Sequence, residues 1–214
     1  MSFDPLAPHY RWLESLIAGR LLQQARTRWI HHLPQPQKIL LAGEGPGRFL
    51  EIIASLWPNA RFYVIDASSA MLNQARNAWL HHQTSEARVH WIHAALPLSM
   101  PPIENCDLIA THFFLDCFPP DTLEKTIHRL GQAASKTASW LISDFHIPPS
   151  GWRRTRSRLL LNLMYPAFQF LTQLPANHLA NPAPYLHQSG FKLHKQQLSN
   201  HQLIRSEWWQ RPSP

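Results

Sequence analysis

KILLAGEGPGRFLEIIASLWPNARFYVIDASSAMLNQAR, running from Lys38 to Arg76, is the stretch whose reading decides the fold. Ile39, Leu40 and Leu41 make a short continuous apolar run, the pattern of a parallel strand covered on both faces. Gly43, Gly45 and Gly47 follow at once, where the chain must turn sharply and a ligand can approach bare backbone. A helix is expected from Gly47, its first N–H groups free to meet a ligand. Phe62, Tyr63, Val64 and Ile65 form a second buried strand ending in Asp66, about 20 residues beyond the turn. A carboxylate at that place can accept both hydroxyls of a ribose. The stretch reads as a nucleoside-binding βαβ unit.

Glycine spacing separates one nucleotide class from another. A dinucleotide fingerprint is G-x-G-x-x-G, the third glycine letting the helix pack close beneath a pyrophosphate. Gly43-Glu44-Gly45-Pro46-Gly47-Arg48 puts Arg48 at that place and gives G-x-G-x-G instead. With IDASSAMLNQAR after it, this pattern resembles the class I, seven-stranded Rossmann-like S-adenosylmethionine-dependent methyltransferases. The opening FDPLAPHYRWLE and the segment DFHIPPSGW are similar to their small-molecule and quinone methyltransferase branch. The resemblance covers the chain from Phe3 to Phe191.

It implies an α/β fold: a three-layer, doubly wound, mostly parallel seven-stranded sheet with an antiparallel C-terminal strand and a helical insertion between strands 5 and 6. It also implies S-adenosyl-L-methionine as cofactor, on Gly43, Gly45, Gly47 and Asp66, with Ala67 and Met71 shaping the adenosine pocket. Met71 reads equally well as core. Tyr10, the tyrosine of an FDxxAxxY pattern, is a candidate contact or a packing residue at the start of a helix. Two positions depart from the family. Leu41 stands where an acid often lies two residues before the first glycine, and Glu44 either substitutes for that charge or is a solvated loop carboxylate. Ala95 stands where an aspartate usually binds the adenine amino group, which leaves adenine to backbone groups near Ala94 and Ala95 or to another side chain.

Composition bounds the rest. At 214 residues with 44% hydrophobic, the chain suits a single domain with a full core. Cys106 and Cys117 lack C-x-x-C or zinc-ligand spacing, so no metal is expected and a reducing, cytoplasmic setting is. MSFDPLAPHYRW has no basic leader followed by an apolar core, and no apolar run is long enough to span a bilayer. A net charge of +7 favours an anionic surface or ligand without naming one. Nucleic acid is disfavoured, because no interleaved basic and aromatic motif is present.

Along the chain, residues 1–36 read as an N-terminal helical cap, with a helix from Tyr10 to Leu33 ended by Pro34 and Pro36. Residues 37–150 are the cofactor-binding core. Its further strands are expected at Val89–Ala94, Asp107–Phe114 and Ser139–Asp144, with helices at Ala70–His82 and Thr122–Ala133. Residues 151–190 begin with Arg153, Arg154, Arg156 and Arg158 and continue through LLLNLMYPAFQFLTQL, an apolar stretch broken by Pro166. They read as a lid inserted between strands, which suits a lipophilic or aromatic acceptor, or else as a core-packing helix pair or dimer face. The arginines beside Leu and Phe also allow contact with a membrane surface. Residues 191–214 read as a closing β-hairpin.

Ligands of open α/β sheets sit beyond the carboxyl ends of the strands. That places His112 and Asp116, in THFFLDCFPP, and His146 at the rim as candidate bases, with His112 also a cofactor contact. The expected activity is methyl transfer to O or C of a small, hydrophobic acceptor. The competing readings are an inactive cofactor-binding scaffold and a nucleic-acid methyltransferase.

Overall fold

The computed structural model describes residues 19–82, 87–172 and 179–212, with side chains left out at 82 and 162–172. The first described element is the helix α1 (Gly19–Thr27), followed by a 3₁₀ turn at Ile30–His32. Then come β1 (Lys38–Ala42), α2 (Arg48–Leu56), β2 (Arg61–Asp66), α3 (Ser69–His82), β3 (Val89–His93) and β4 (Cys106–His112). The chain ends with α4 (Pro120–Gln132), β5 (Ala134–Phe145), α5 (Gly151–Thr172), α6 (Ala183–Gln188), β6 (Lys192–Ser199) and β7 (Ile204–Gln210).

The strands form one seven-stranded sheet in the order β3-β2-β1-β4-β5-β7-β6. Pairing is parallel from β3 through β5, and β7 runs antiparallel to both β5 and β6. Both faces are covered. Leu40, Ile109, Trp140, Ile142 and Trp209 pack with Leu123, Ile127 and Leu130 of α4 on one face. Ile39, Leu41, Val64, Leu108, Leu141 and Trp208 pack with Phe49, Ile53 and Trp79 of α2 and α3 on the other. The alternation of neighbouring residues between two cores is why the strand sequences are continuously apolar.

Of the boundaries that differ from the sequence reading, three bear on the site. Where a single helix to Leu33 is expected, α1 ends at Thr27. Its Ala25 carbonyl is taken by the buried hydroxyls of Ser143 and Ser206 at 2.9 and 3.2 Å, and Thr27 Oγ1 donates back to Gln23 O at 2.9 Å. β4 stops at His112 because Phe113 turns left-handed, with φ 55°. β5 begins at Ala134 rather than Ser139, with a register shift against β4 after Cys106. The helical insertion is confirmed between β5 and β6, and α5 continues past Pro166 to Thr172.

Candidate active site

β1, β2 and β4 lie side by side, with Ala42 opposite both Ile65 and Thr111, so their carboxyl ends bring the glycine turn, Asp66 and His112 to one rim. Gly47 caps α2 from a left-handed conformation, φ 88°, while Gly43 donates its N–H to Ile65 O at 2.8 Å. A Cβ on Gly43 would run into the ring of Phe114, whereas one on Gly45 would meet nothing within 4 Å. The turn is therefore floored by an aromatic ring at one end and open in its middle.

Asp66 holds this turn together. Its Oδ2 accepts the Gly45 N–H at 3.1 Å, and its Oδ1 accepts that of Ser68 at 2.9 Å. Ser68 in turn caps α3 through the Met71 N–H, at 3.1 Å. Burial pushes the Asp66 carboxyl above its ordinary range, opposed by the Ser68 and Gly45 N–H groups. One side chain thus locks the glycine turn to the start of α3 and remains partly exposed at the strand end.

Glu44 has a partner that was not legible beforehand. Its Oε1 accepts the N–H groups of Phe49 and Leu50 at 2.8 and 3.0 Å, so it fills the α2 N-terminus expected to be free. Burial raises its carboxyl to about 7, against those two N–H groups and the nearby Arg26. Arg26, buried on α1, also lies over the ring of Phe113 at 5.3 Å.

The three candidate bases separate. His112 is buried edge-on against Phe49, with ring centroids 4.5 Å apart, and among the described residues neither of its ring nitrogens has a hydrogen-bond partner. Burial, with Arg26 adding to it, holds its pKa well below 6.5, so the ring is neutral. Asp116 has both oxygens engaged, Oδ2 by the Phe145 N–H at 3.4 Å and Oδ1 by the Cys117 thiol at 3.6 Å. His146 turns away to the hairpin, its Nδ1 2.9 Å from Gln202 O.

At the end of β3, where adenine recognition is expected, the backbone groups are paired. Ala94 is buried and donates its N–H to Asp66 O at 3.1 Å. Ala95 donates to Ser99 Oγ at 2.9 Å and accepts from the Ser99 N–H at 3.1 Å, so its backbone is already occupied. His93, opposite Asp66 in the β2–β3 ladder, has Nε2 3.0 Å from Ala67 O. Met71, near the start of α3, is buried. Tyr10 lies outside the described residues. Two residues of the rim were missed in the sequence, Phe114 and Asp144. Phe114 would have needed the left-handed turn at Phe113, and Asp144 the crossing of β5 with the loop after β4.

The parallel sheet with a single reversed strand, carrying the G-x-G-x-G turn and Asp66 at one rim, is the seven-stranded Rossmann-like fold seen in the solved methyltransferases it resembles. Residues 39–136 match the family model described as a methyltransferase domain, from β1 into the start of β5. Among solved structures, the chain is similar to the mitomycin 7-O-methyltransferase MmcR, with TM-score 0.70 and 14% identity over 99% of this chain and 61% of that one. The pyocyanin biosynthetic protein PhzM matches with TM-score 0.71 and 16% identity, over 99% of this chain and 62% of that one. Magnesium protoporphyrin IX methyltransferase (ChlM) from Synechocystis PCC 6803, solved with bound SAH, matches with TM-score 0.64 and 16% identity, over 90% and 83%. The chain thus spans about three fifths of the length of the first two. At these identities the likeness is one of fold. No curated protein matches the chain in sequence.

Proposed function

We propose that the protein is an S-adenosylmethionine-dependent methyltransferase that transfers a methyl group to O or C of a small, hydrophobic acceptor. The observation that carries this reading is the glycine turn tied by its Gly45 N–H to Asp66 at the mouth of a methyltransferase-domain sheet. The residues present fit the cofactor: open space over Gly45, a partly exposed carboxylate at the end of β2, and a buried, unpartnered imidazole at the end of β4. Asp66 would hold the ribose hydroxyls, and Gly43, Gly45 and Gly47 would allow close approach of the methionyl part. When bound, the cofactor supplies an activated methyl group; the chain supplies position and proton handling.

Of the three candidate bases, His112 suits that second task best. Its neutral ring has a lone pair to accept the proton of an acceptor hydroxyl, while Asp116 has both oxygens engaged by the Phe145 N–H and the Cys117 thiol, and His146 is held at the hairpin through its Nδ1. Glu44 braces the start of α2 through its Oε1, at the edge of the turn that would meet the methionyl part. α5, which packs Leu161 against Leu22 and Ala25 of α1 beside Phe113 and Phe145, supports a lid over a lipophilic acceptor, while α6 buries Leu186 in the core with α4. The unpaired cysteines accord with a reducing, cytoplasmic setting, and among the described residues no helix is long and apolar enough to cross a membrane.

Titration calorimetry with S-adenosylmethionine tests the reading. Wild type is expected to bind, and Asp66→Ala to bind about 10- to 100-fold more weakly, the cost of charge-assisted hydrogen bonds to the ribose. Absence of binding by the wild type, or full affinity in the variant, would overturn it. Labelled methyl donor with cell extract then separates an enzyme from a scaffold that binds without turnover.

A further inference from the structure

The loop that follows β4 is fastened to the end of β5 by a reciprocal pair of hydrogen bonds. The Phe114 N–H donates to Asp144 Oδ1 at 3.2 Å, and the Phe145 N–H donates to Asp116 Oδ2 at 3.4 Å. Each aspartate thus accepts from the segment that carries the other. Phe113, between them in the loop, is pinned by its N–H to Ser143 O at 2.6 Å. The outcome is a fixed place for the Phe114 ring, which stands edge-on to Phe118 at 5.0 Å and lies where a side chain on Gly43 would have to go.

Asp144 is only 2% exposed and spends an ionisable side chain on a job a backbone carbonyl could do. Its surroundings are acidic. Asp116 lies on the loop side, Arg205 opposite it on β7, and Glu207 two residues further along, with the Cys117 thiol on Asp116. Arg205 is itself drawn to Glu207, Nε to Oε1 at 3.2 Å. One partly exposed guanidinium, paired with Glu207, is thus the cation that offsets the charge of Asp116 and Asp144. Burial first, and Asp116 second, push Asp144 well above the ordinary carboxylate range, while Asp116 rises to about 6. A protonated Asp144 keeps the shape of an acceptor for Phe114 without a buried charge.

We propose that Asp144 is a positioning residue for the cofactor pocket: by accepting the Phe114 N–H it holds the Phe114 ring against Gly43, and so keeps the glycine turn in the shape that admits the methyl donor. The inference rests on the reading of that turn as the cofactor site. Its chemistry is steric and electrostatic, with Phe114 as the piece that meets the turn and Asp144 acting through it.

Calorimetry with S-adenosylhomocysteine, alongside thermal unfolding, tests it in a double-mutant cycle. Asp144→Ala and Phe114→Leu are each expected to weaken binding about tenfold, the equivalent of one lost buried hydrogen bond or ring contact. Asp144→Asn, neutral and of the same shape, is expected to restore affinity to within about threefold of wild type. The double variant Asp144→Ala/Phe114→Leu is expected to bind no more weakly than Phe114→Leu alone, since Asp144 has then lost what it positions. Independent, multiplying losses in the double variant, or wild-type affinity in Phe114→Leu, would overturn the inference while leaving the cofactor site standing. Should Asp144→Ala fail to fold, Phe114→Leu and Asp144→Asn still decide it: wild-type affinity in the first, or a tenfold loss in the second, refutes it. Wild-type protein that does not bind the probe refutes the cofactor reading itself, and this inference with it.

Discussion

Glu44 shows how a side chain's partner can lie outside what local spacing suggests. Its place inside a glycine turn made it a candidate for the ligand's amino group or for solvent, yet the nearest strong donors are the unsatisfied N–H groups at the start of α2. Nothing in local spacing distinguishes these, because the answer depends on how the turn folds back over the helix. Asp66 was legible because strand, terminal acid and spacing from the turn all agree, whereas Asp144 was hidden in an ordinary strand until the loop after β4 crossed it. The Glu44 environment has a consequence for stability. Its carboxyl binds a proton up to about 7 in the folded protein but only to 4.5 in the unfolded chain. Between those values the folded state holds more protons, so stability falls as pH rises through that window. Glu44→Gln keeps an acceptor for Phe49 and Leu50 but does not titrate. Measured by urea unfolding, wild type should lose on the order of 2 to 3 kcal/mol relative to Glu44→Gln between pH 4.5 and 7.5. A difference that is flat across that range, or that grows in favour of wild type, would contradict this account.

Elements were easier to read than residues where a period or a glycine dictates them, and harder where a tertiary contact sets the end. The strands β1 and β2 fall within a residue of expectation because burial on both faces leaves an unmistakable apolar run. The end of α1 could not be foreseen, since it is decided by the hydroxyls of Ser143 and Ser206, far away in sequence. Gly47 joins both kinds of information. Its left-handed φ of 88° is what a glycine in that turn suggests, but its contact with α3 is visible only in the fold, a Cβ there lying 3.1 Å from Ala75 Cα. Gly47→Ala should therefore cost about 1 to 2 kcal/mol for the backbone conformation alone, and more for the forced separation of α2 and α3. A thermal unfolding midpoint unchanged from wild type would show that the turn is looser than described.

On the scale of the whole molecule, the strand order was foreseeable from the resemblance and the closing hairpin from the turn at Asn200, but the fastening of the hairpin to the opposite layer was not. Arg211, just past β7, donates to four carbonyls: Ala134 O and Ser135 O through Nη1 at 2.9 and 3.1 Å, and Gly131 O and Ser189 O through Nη2 at 2.8 and 3.3 Å. These belong to the end of α4, the start of β5 and the end of α6, and the guanidinium also lies over the Phe191 ring at 4.9 Å. A single planar fork thus gathers the C-terminal ends of two helices and the entry to a strand. Its partial burial lowers the guanidinium pKa from its ordinary value, and arginine is not deprotonated in proteins, so the clasp stays charged. Arg211→Ala should destabilise the protein by about 1.5 to 3 kcal/mol, because it removes a charged donor shared by four part-buried carbonyls. Arg211→Lys should recover little, since one ammonium cannot span the fan that the two terminal nitrogens cover. Denaturant unfolding followed by both tryptophan fluorescence and circular dichroism checks this: the two signals should move together to lower denaturant in both variants. Wild-type stability in Arg211→Lys would mean that charge alone, not the shape of the fork, joins the hairpin to the helical layer.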